Sequence, residues 1–339
     1  MESHHLLYII LFLLGLFILI PIGNEHSTVR RLPMITFLLI VVNTLVYFTT
    51  LPGRAQQERT LASAYNKLRS FMEENPQIVI DNQARKSLRE EGLISEDEDE
   101  EITRQLKDRG DQYSLWAAGM ITPQMRDEFS QLIKKFKSAR EEFLPFKWGL
   151  APRGNWKSYQ LITSAFLHAD ILHLFFNMLY FFVVGFSLED IWGRGVFLGF
   201  YMLSCVAAAL PSVVSPLDLP LLGASGAVSA TMGAFLIRMY RTRVNIFWFS
   251  IELALPFLMT GRKPWGKILL PAYLYIPFYF LLQLLQVWYN YLSGQTSLVA
   301  FSAHFAGFAF GVGFALLMKA TKAEESYIHP KIEAKLTFS

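Results

Sequence analysis

Leu221-Leu-Gly-Ala-Ser225-Gly-Ala227 stands at the mouth of a run, 225–240, apolar enough to cross a bilayer. Two other polar groups lie in apolar runs: His173 with Asn177, and His304. A polar side chain inside a span is costly, so each is a functional-site hypothesis by default. One is a potential nucleophile and another a potential base, a pairing that points to hydrolysis inside the membrane.

Composition supports that setting. The chain has 339 residues, of which 53% are hydrophobic and only 17% charged, against roughly 25% charged in soluble domains. Several long apolar runs make it a polytopic membrane protein. A net charge of +3 is too small to imply a nucleic-acid partner. Cys205, the single cysteine, excludes a disulfide framework and a cysteine metal cluster.

Candidate spans are 6–22, 34–50, 171–187, 195–212, 225–240, 270–292 and 300–319. The first lacks a basic leader and a small-residue cleavage site, which favours a retained span or anchor over a signal peptide. Lys and Arg fall in alternate short loops: Arg30 and Arg31, Arg194, Arg238 to Arg243, then Lys319 and Lys322, while 213–222 and 293–299 have none. This bias puts those basic loops and the C-terminal tail in the cytoplasm and the N-terminus outside. Val244–Thr260 is apolar but basic on both flanks, so it is expected to be interfacial or re-entrant. The resulting division is 1–32, a leading hydrophobic segment and cytoplasmic turn; 33–50, the first core span; 51–145, an extracytoplasmic loop domain; 146–320, the remaining core with Ser225 and His304; and 321–339, a cytoplasmic tail.

Residues 51–150 are charged, with a dense acidic run at Glu96–Glu101. Ser95 with Glu98 forms a capping-box pattern, and Thr122 before Pro123 is an N-cap and first-turn pair. A small helical extramembrane domain is expected. It is either a solvated insertion without chemistry or a substrate-recruiting element.

Helical spacing places His173 and Asn177 on one face, His304, Gly307 and Gly311 on another, and Gly226, Ala230 and Gly233 on a third, at about 100° per residue. Small residues let membrane helices approach closely, so the glycines after His304 are expected to pack on the stripe after Ser225. That packing would bring imidazole to hydroxyl. Ser225 opening a helix would have free backbone N–H groups and the positive dipole end beside it for an oxyanion, with Asn177 and His173 as further donors. No aspartate lies beside these residues in the spans, so a dyad is expected rather than a triad. Each feature has a plainer reading. Small-residue packing explains Gly223-Ala-Ser225-Gly226, a helix-to-helix hydrogen bond explains a lone His, and Asn177 alone is interhelical glue. His168 lies about 140° from His173 on a helix and reads as structural. A metal site of His168, His173 and His304 is disfavoured by the spacing and by the absence of His-Glu-x-x-His; no cofactor is expected.

The motifs in order resemble the rhomboid family of intramembrane serine proteases. Leu161-Ile-Thr-Ser-Ala-Phe-Leu-His168 followed by His173-Leu-Phe-Phe-Asn177 matches its H-x4-H-x3-N region. Gly185-Phe-Ser-Leu-Glu189 with Gly193 matches the end of that span, Gly223-Ala-Ser225-Gly-Ala the nucleophile motif, and Ala303-His304-Phe-Ala-Gly307 with Gly311 the histidine motif. Ile20 to Glu25, Arg30 to Ile40 and Gly149-Leu-Ala-Pro152 resemble the approach to the first core span and the end of the first loop.

The resemblance implies an all-α polytopic membrane protein. It would have a six-helix core, a leading N-terminal span and a helical insertion in the first loop. It implies Ser225 as nucleophile and His304 as base, and an oxyanion site from the Ser225 N–H, His173 and Asn177, with His168, Gly223, Gly226, Gly307 and Gly311 supporting. The implied substrates are transmembrane segments of other membrane proteins, cleaved through an acyl-enzyme in a cavity open to the outside. The setting is the lipid bilayer, taken as a bacterial inner membrane, with oligomeric state undetermined. Span 270–292 and loop 293–299 would be gate and lid, with Trp288 and Tyr289 at the rim or in an aromatic belt. Tyr159-Gln160 stands where some members have Trp-Arg, and no role is carried over. The alternative is a catalytically inactive relative that binds and routes membrane clients.

Overall fold

The computed structural model describes residues 17–25, 32–109, 119–151, 156–214, 219–250, 263, 265–292 and 301–323. In chain order the elements are β1 (Phe17–Asn24), α1 (Met34–Glu74), a 3-10 turn (Pro76–Ile80), α2 (Asn82–Glu90), α3 (Glu96–Asp108) and α4 (Pro123–Glu142). After short turns at Leu144–Trp148 and Gln160–Phe166 come α5 (Ile171–Trp192), α6 (Arg194–Val214), α7 (Ser225–Arg238), β2 (Arg243–Ser250), β3 (Trp265–Pro271), α8 (Ala272–Leu292) and α9 (Phe301–Ala320).

The core is the helical bundle α1, α5, α6, α7, α8 and α9. Four of these helices, α1, α5, α6 and α9, are long and apolar enough to cross a membrane. Large apolar side chains such as Leu45, Phe48, Leu172, Leu203, Leu274 and Leu317 face outward, as a lipid-facing surface requires. At the centre stands α7, with Gly226 through Phe235 buried without interruption. It has only 14 residues, about 21 Å of helix, against a hydrocarbon core of about 30 Å. A helix of that length cannot by itself cross the hydrocarbon core.

Local chemistry explains where the helices stop and turn. Asp170 caps α5, its carboxylate accepting from the His173 N–H at 2.8 Å. Gly193, with φ +76°, ends α5 and lets α6 begin at the next residue; only glycine adopts that conformation without penalty. α1 starts after Pro33 with no cap of its own. Glu189 of α5 supplies one: its carboxylate accepts from Ile35 N at 2.9 Å and from Thr36 N and Thr36 Oγ1 at 2.8 Å. A carboxylate at a helix N-terminus satisfies orphan N–H groups and complements the dipole.

α1 has 41 residues, about 60 Å and twice the bilayer core, so its second half projects beyond the membrane. α2, α3 and α4 fold around that projection with a hydrophobic cluster of their own, including Leu68, Phe71, Ile78, Leu88, Phe129 and Phe136. The Ser95–Glu98 capping box forms, and Thr122 caps α4 by accepting from Met125 N. Acidic Glu91 is held by Arg140 at 2.6 Å and Lys137 at 3.3 Å, and Asp99 by Arg85 at 2.8 Å. The insertion is thus a packed helical unit built on the stem of the first core helix.

One expectation is corrected. The described part of the leading segment, Phe17–Asn24, is a strand and not a helix; it pairs antiparallel with β2, which pairs antiparallel with β3. Residues 6–16 and 251–262 lie outside the described residues. The reason is local: Ile18, Ile20 and Ile22 are β-branched, and Pro21 disfavours a helix interior. In β2, Val244 and Ile246 are buried while Arg243 is exposed, the period-2 pattern of a half-buried strand. Asn24 ties the sheet to the bundle by donating to Val183 O at 2.7 Å and Ser187 Oγ at 3.2 Å. The sheet follows the C-terminus of α7, so Arg238 and Arg243 lie at the end of α7 opposite Ser225.

Glu189→Ala should destabilise the fold by about 2–3 kcal/mol, because it strands buried donors, and Glu189→Gln by less, since one acceptor remains. Thermal unfolding in detergent reads both; an unchanged midpoint in Glu189→Ala would show that the α1 start does not depend on this carboxylate.

Candidate active site

Ser225 is the first residue of α7, preceded by Ala224 as N-cap. The loop before it is pinned on both sides. Leu221 and Leu150 exchange backbone hydrogen bonds at 3.0 and 3.1 Å, and Gly223 N donates to Ser164 O at 2.9 Å. Gly223 has φ +117°, and a Cβ built there would meet His173 Cε1 at 2.8 Å and Nε2 at 2.9 Å. The glycine therefore does two things. It makes the turn into the helix, and it lets the His173 imidazole lie directly on the loop beside Ser225. Val228 N is already bonded to Ala224 O at 2.9 Å; the first N–H groups of α7, Ser225's among them, have no partner within the helix.

α7 and α9 meet backbone to backbone. A Cβ on Gly307 would collide with the Gly226 carbonyl, one on Gly311 with the Ala230 carbonyl, and one on Gly233 with the Phe308 carbonyl. A Cβ on Gly226 would collide with Ala208 and lie 3.4 Å from Ala303 O. The two helices run parallel in this register, so the residue after Ser225 abuts the residue before His304. His304 is 7% exposed, and its Nδ1 lies 2.6 Å from Gln283 Oε1 of α8. Among the described residues no hydrogen bond joins its ring to Ser225 Oγ.

His173 and Asn177 share a face of α5, as their spacing predicts. The Asn177 amide donates to His173 O at 2.9 Å, which leaves its second N–H uncommitted by that bond. His168 is not on a helix with His173. It lies in the loop before the Asp170 cap, completely buried, its ring edge-on to that of His173 with centroids 5.2 Å apart. Ala224 N approaches His168 Nε2 at 3.5 Å. Burial, then His173 and the Arg54 guanidinium, push the His168 imidazole down to about 3. It is therefore a neutral acceptor at physiological pH. Arg54, at the foot of the insertion, donates to His168 O and Ala169 O at 2.8 Å each.

Several contributors were not singled out in the sequence. Asp170 was legible as an N-cap before an apolar run. Gln283 was legible as a polar residue within a span. Ser164 acts through its carbonyl, which leaves no sequence signal. Gln160, without an assigned role above, is buried and bonded to Phe146 O at 2.9 Å and Lys147 O at 3.2 Å, closing the loop in front of the site.

The arrangement is that of a polytopic helical membrane protein with polar residues converging on the buried N-terminus of its central helix. A family model described as the Rhomboid domain matches residues 155–321. The chain is 39% identical over 88 residues to Rhomboid protease GluP of Bacillus subtilis, covering 26% of this chain and 17% of that protein. It is 35% identical over 98 residues to YdcA of the same organism, covering 29% and 48%. It is 34% identical over 97 residues to Rhomboid protein 1, mitochondrial, of Saccharomyces cerevisiae, covering 27% and 28%. The chain thus spans less than half the length of each of these relatives. Residues 155–321 thus match the Rhomboid domain.

Gly311→Leu should destabilise the bundle by about 3 kcal/mol or more, since overpacking here meets backbone. Gly313→Ala, two residues on and with nothing within 4 Å of the added Cβ, should leave it unchanged. Equal unfolding midpoints for the two variants would refute the close α7–α9 contact.

Proposed function

We propose that the chain is an intramembrane serine endopeptidase that cleaves a peptide bond in or beside a transmembrane segment of membrane-protein substrates. The observation that carries this reading is the α7–α9 register, in which Gly226 and Ala303 abut and Ser225 and His304 are their immediate neighbours. The name of the relative GluP, a rhomboid protease, supports it.

In this mechanism His304 takes the Ser225 Oγ proton as Oγ attacks the substrate carbonyl. The negative charge then developing on the carbonyl oxygen is met by the Ser225 N–H at the positive end of α7, by the His173 ring and by the free N–H of Asn177. The intermediate collapses to an ester on Ser225, and His304 returns the proton to the departing amine. A water, deprotonated by His304, then attacks the ester, and His304 returns that proton to Ser225 Oγ as the acid departs. His168 and Gly223 hold the loop; Gly226, Gly307 and Gly311 hold the two helices together. Water reaches Ser225 because the short α7 leaves the site about 9 Å below one surface. A substrate must unwind, since a regular helix ties up its carbonyls; segments with Gly, Pro or small polar residues unwind most easily. α8 and the loop 293–299, the latter outside the described residues, would gate that approach.

The basic residues at the end opposite Ser225 put that end in the cytoplasm. The site and the 51–145 insertion then face the extracytoplasmic side, in a bacterial inner membrane. The lack of a hydrogen bond between Ser225 and His304 also fits a client-binding relative without activity. Yet catalytic hydrogen bonds are often loose before substrate binds, and both residues of the dyad are present.

Wild type should cleave a membrane-spanning peptide with Gly or Pro near its end. Ser225→Ala and His304→Ala should each lower kcat by at least about 10³-fold. Binding without cleavage by the wild type would favour the client-binding reading. A cysteine at Glu100→Cys should react with an impermeant maleimide from outside, and one at Lys267→Cys only after permeabilisation. The reverse pattern would overturn the orientation.

A further inference from the structure

The imidazole of His304 is held from a third helix. Gln283 Oε1, on α8, lies 2.6 Å from His304 Nδ1, a contact that joins two helices. An amide oxygen can only accept, so at this contact the ring nitrogen must donate. The Tyr279 hydroxyl, one turn earlier on α8, is hydrogen-bonded to the same side chain. With the proton on Nδ1, the lone pair is on Nε2. An amide within a membrane helix is costly unless partnered, and this one is spent on the single histidine of α9.

We propose that Gln283 is a positioning residue for His304, accepting Nδ1–H and so holding the imidazole in the tautomer whose Nε2 serves Ser225 as base. This rests on the protease reading. Gln283 performs the orienting task of a third catalytic group without placing a carboxylate in the membrane, where an unpaired charge would be expensive. The Nδ1 proton stays in place throughout; only Nε2 exchanges a proton with Ser225 and the leaving amine. Because Gln283 belongs to α8, the orientation of the base depends on where α8 sits. The other titratable groups facing His304 are His173 on α5 and, beyond the amide, Tyr279 on α8.

The test is steady-state cleavage of a membrane-spanning peptide by the full chain in detergent, across the acid limb of the pH profile, with Gln283→Leu, Gln283→Glu, Ser225→Ala and wild type. Gln283→Leu should lower kcat at least about tenfold with KM unchanged, as expected for an interaction needed only in the transition state. Gln283→Glu restores an acceptor of the same shape. It should recover most of kcat and move the acid limb to higher pH, because a carboxylate against Nδ1 favours the protonated ring. An unchanged kcat in Gln283→Leu overturns the proposal. So does an equal loss in both variants with the acid limb unmoved, which marks packing alone. Wild type no more active than Ser225→Ala would defeat the protease reading, and this inference with it; an active wild type with silent Gln283 variants defeats this inference only.

Discussion

The structure depends on one contact, the meeting of α7 and α9 at the distance of their backbones. Gly233, Gly307 and Gly311 are each placed where a side chain would strike the partner helix, and Gly226 where one would strike Ala208 of α6. In a membrane the hydrophobic effect does not drive helices together, so close van der Waals packing of small residues must. That packing also fixes register. A slip by one residue would put a Cβ against a carbonyl, and the pairing of Gly226 with Ala303 would be lost. The functional reading rests on the same contact, because Ser225 and His304 come from positions 79 residues apart in the chain and meet only if these helices lock.

Around that contact the chain builds layers of support with polar groups drawn from distant segments. Ser164 and Leu150 clamp the loop before Ser225, and Asp170 caps the helix that brings His173 and Asn177. Glu189 caps α1, which in turn carries Arg54 back to the carbonyls of His168 and Ala169. The insertion is therefore mechanically joined to the site end of the bundle through its own stem. The Glu189 bond to Thr36 N is buried and the Arg54 bond to His168 O partly so, where a hydrogen bond left unmade is expensive.

The helices of the bundle were legible because each is a long apolar run with polar or glycine boundaries, and the stripes after Ser225 and His304 were legible because small residues recur at helical spacing. The capping box at Ser95 and the cap at Thr122 were legible because caps are local. The sheet was not. Residues 6–22 and 244–260 are apolar stretches of a length that fits either a short span or buried strands, and strand pairing joins segments over 200 residues apart. The alternation of Val244 and Ile246 with polar Arg243 and Asn245 was the available signal. Glu189 was visible as a motif residue, but its partners at Ile35 and Thr36 depend on the tertiary fold. Gln283 was visible as a polar residue in a span, yet nothing local indicates that its partner is His304.

The most direct measurement is mass spectrometry of the chain after reaction with a fluorophosphonate in detergent, with wild type and His304→Ala compared. The account predicts a single adduct, on the peptide that contains Ser225, and its loss in His304→Ala, because the hydroxyl is reactive only with the imidazole that the α7–α9 contact delivers. An adduct on another serine, or equal labelling of Ser225 without His304, would contradict it.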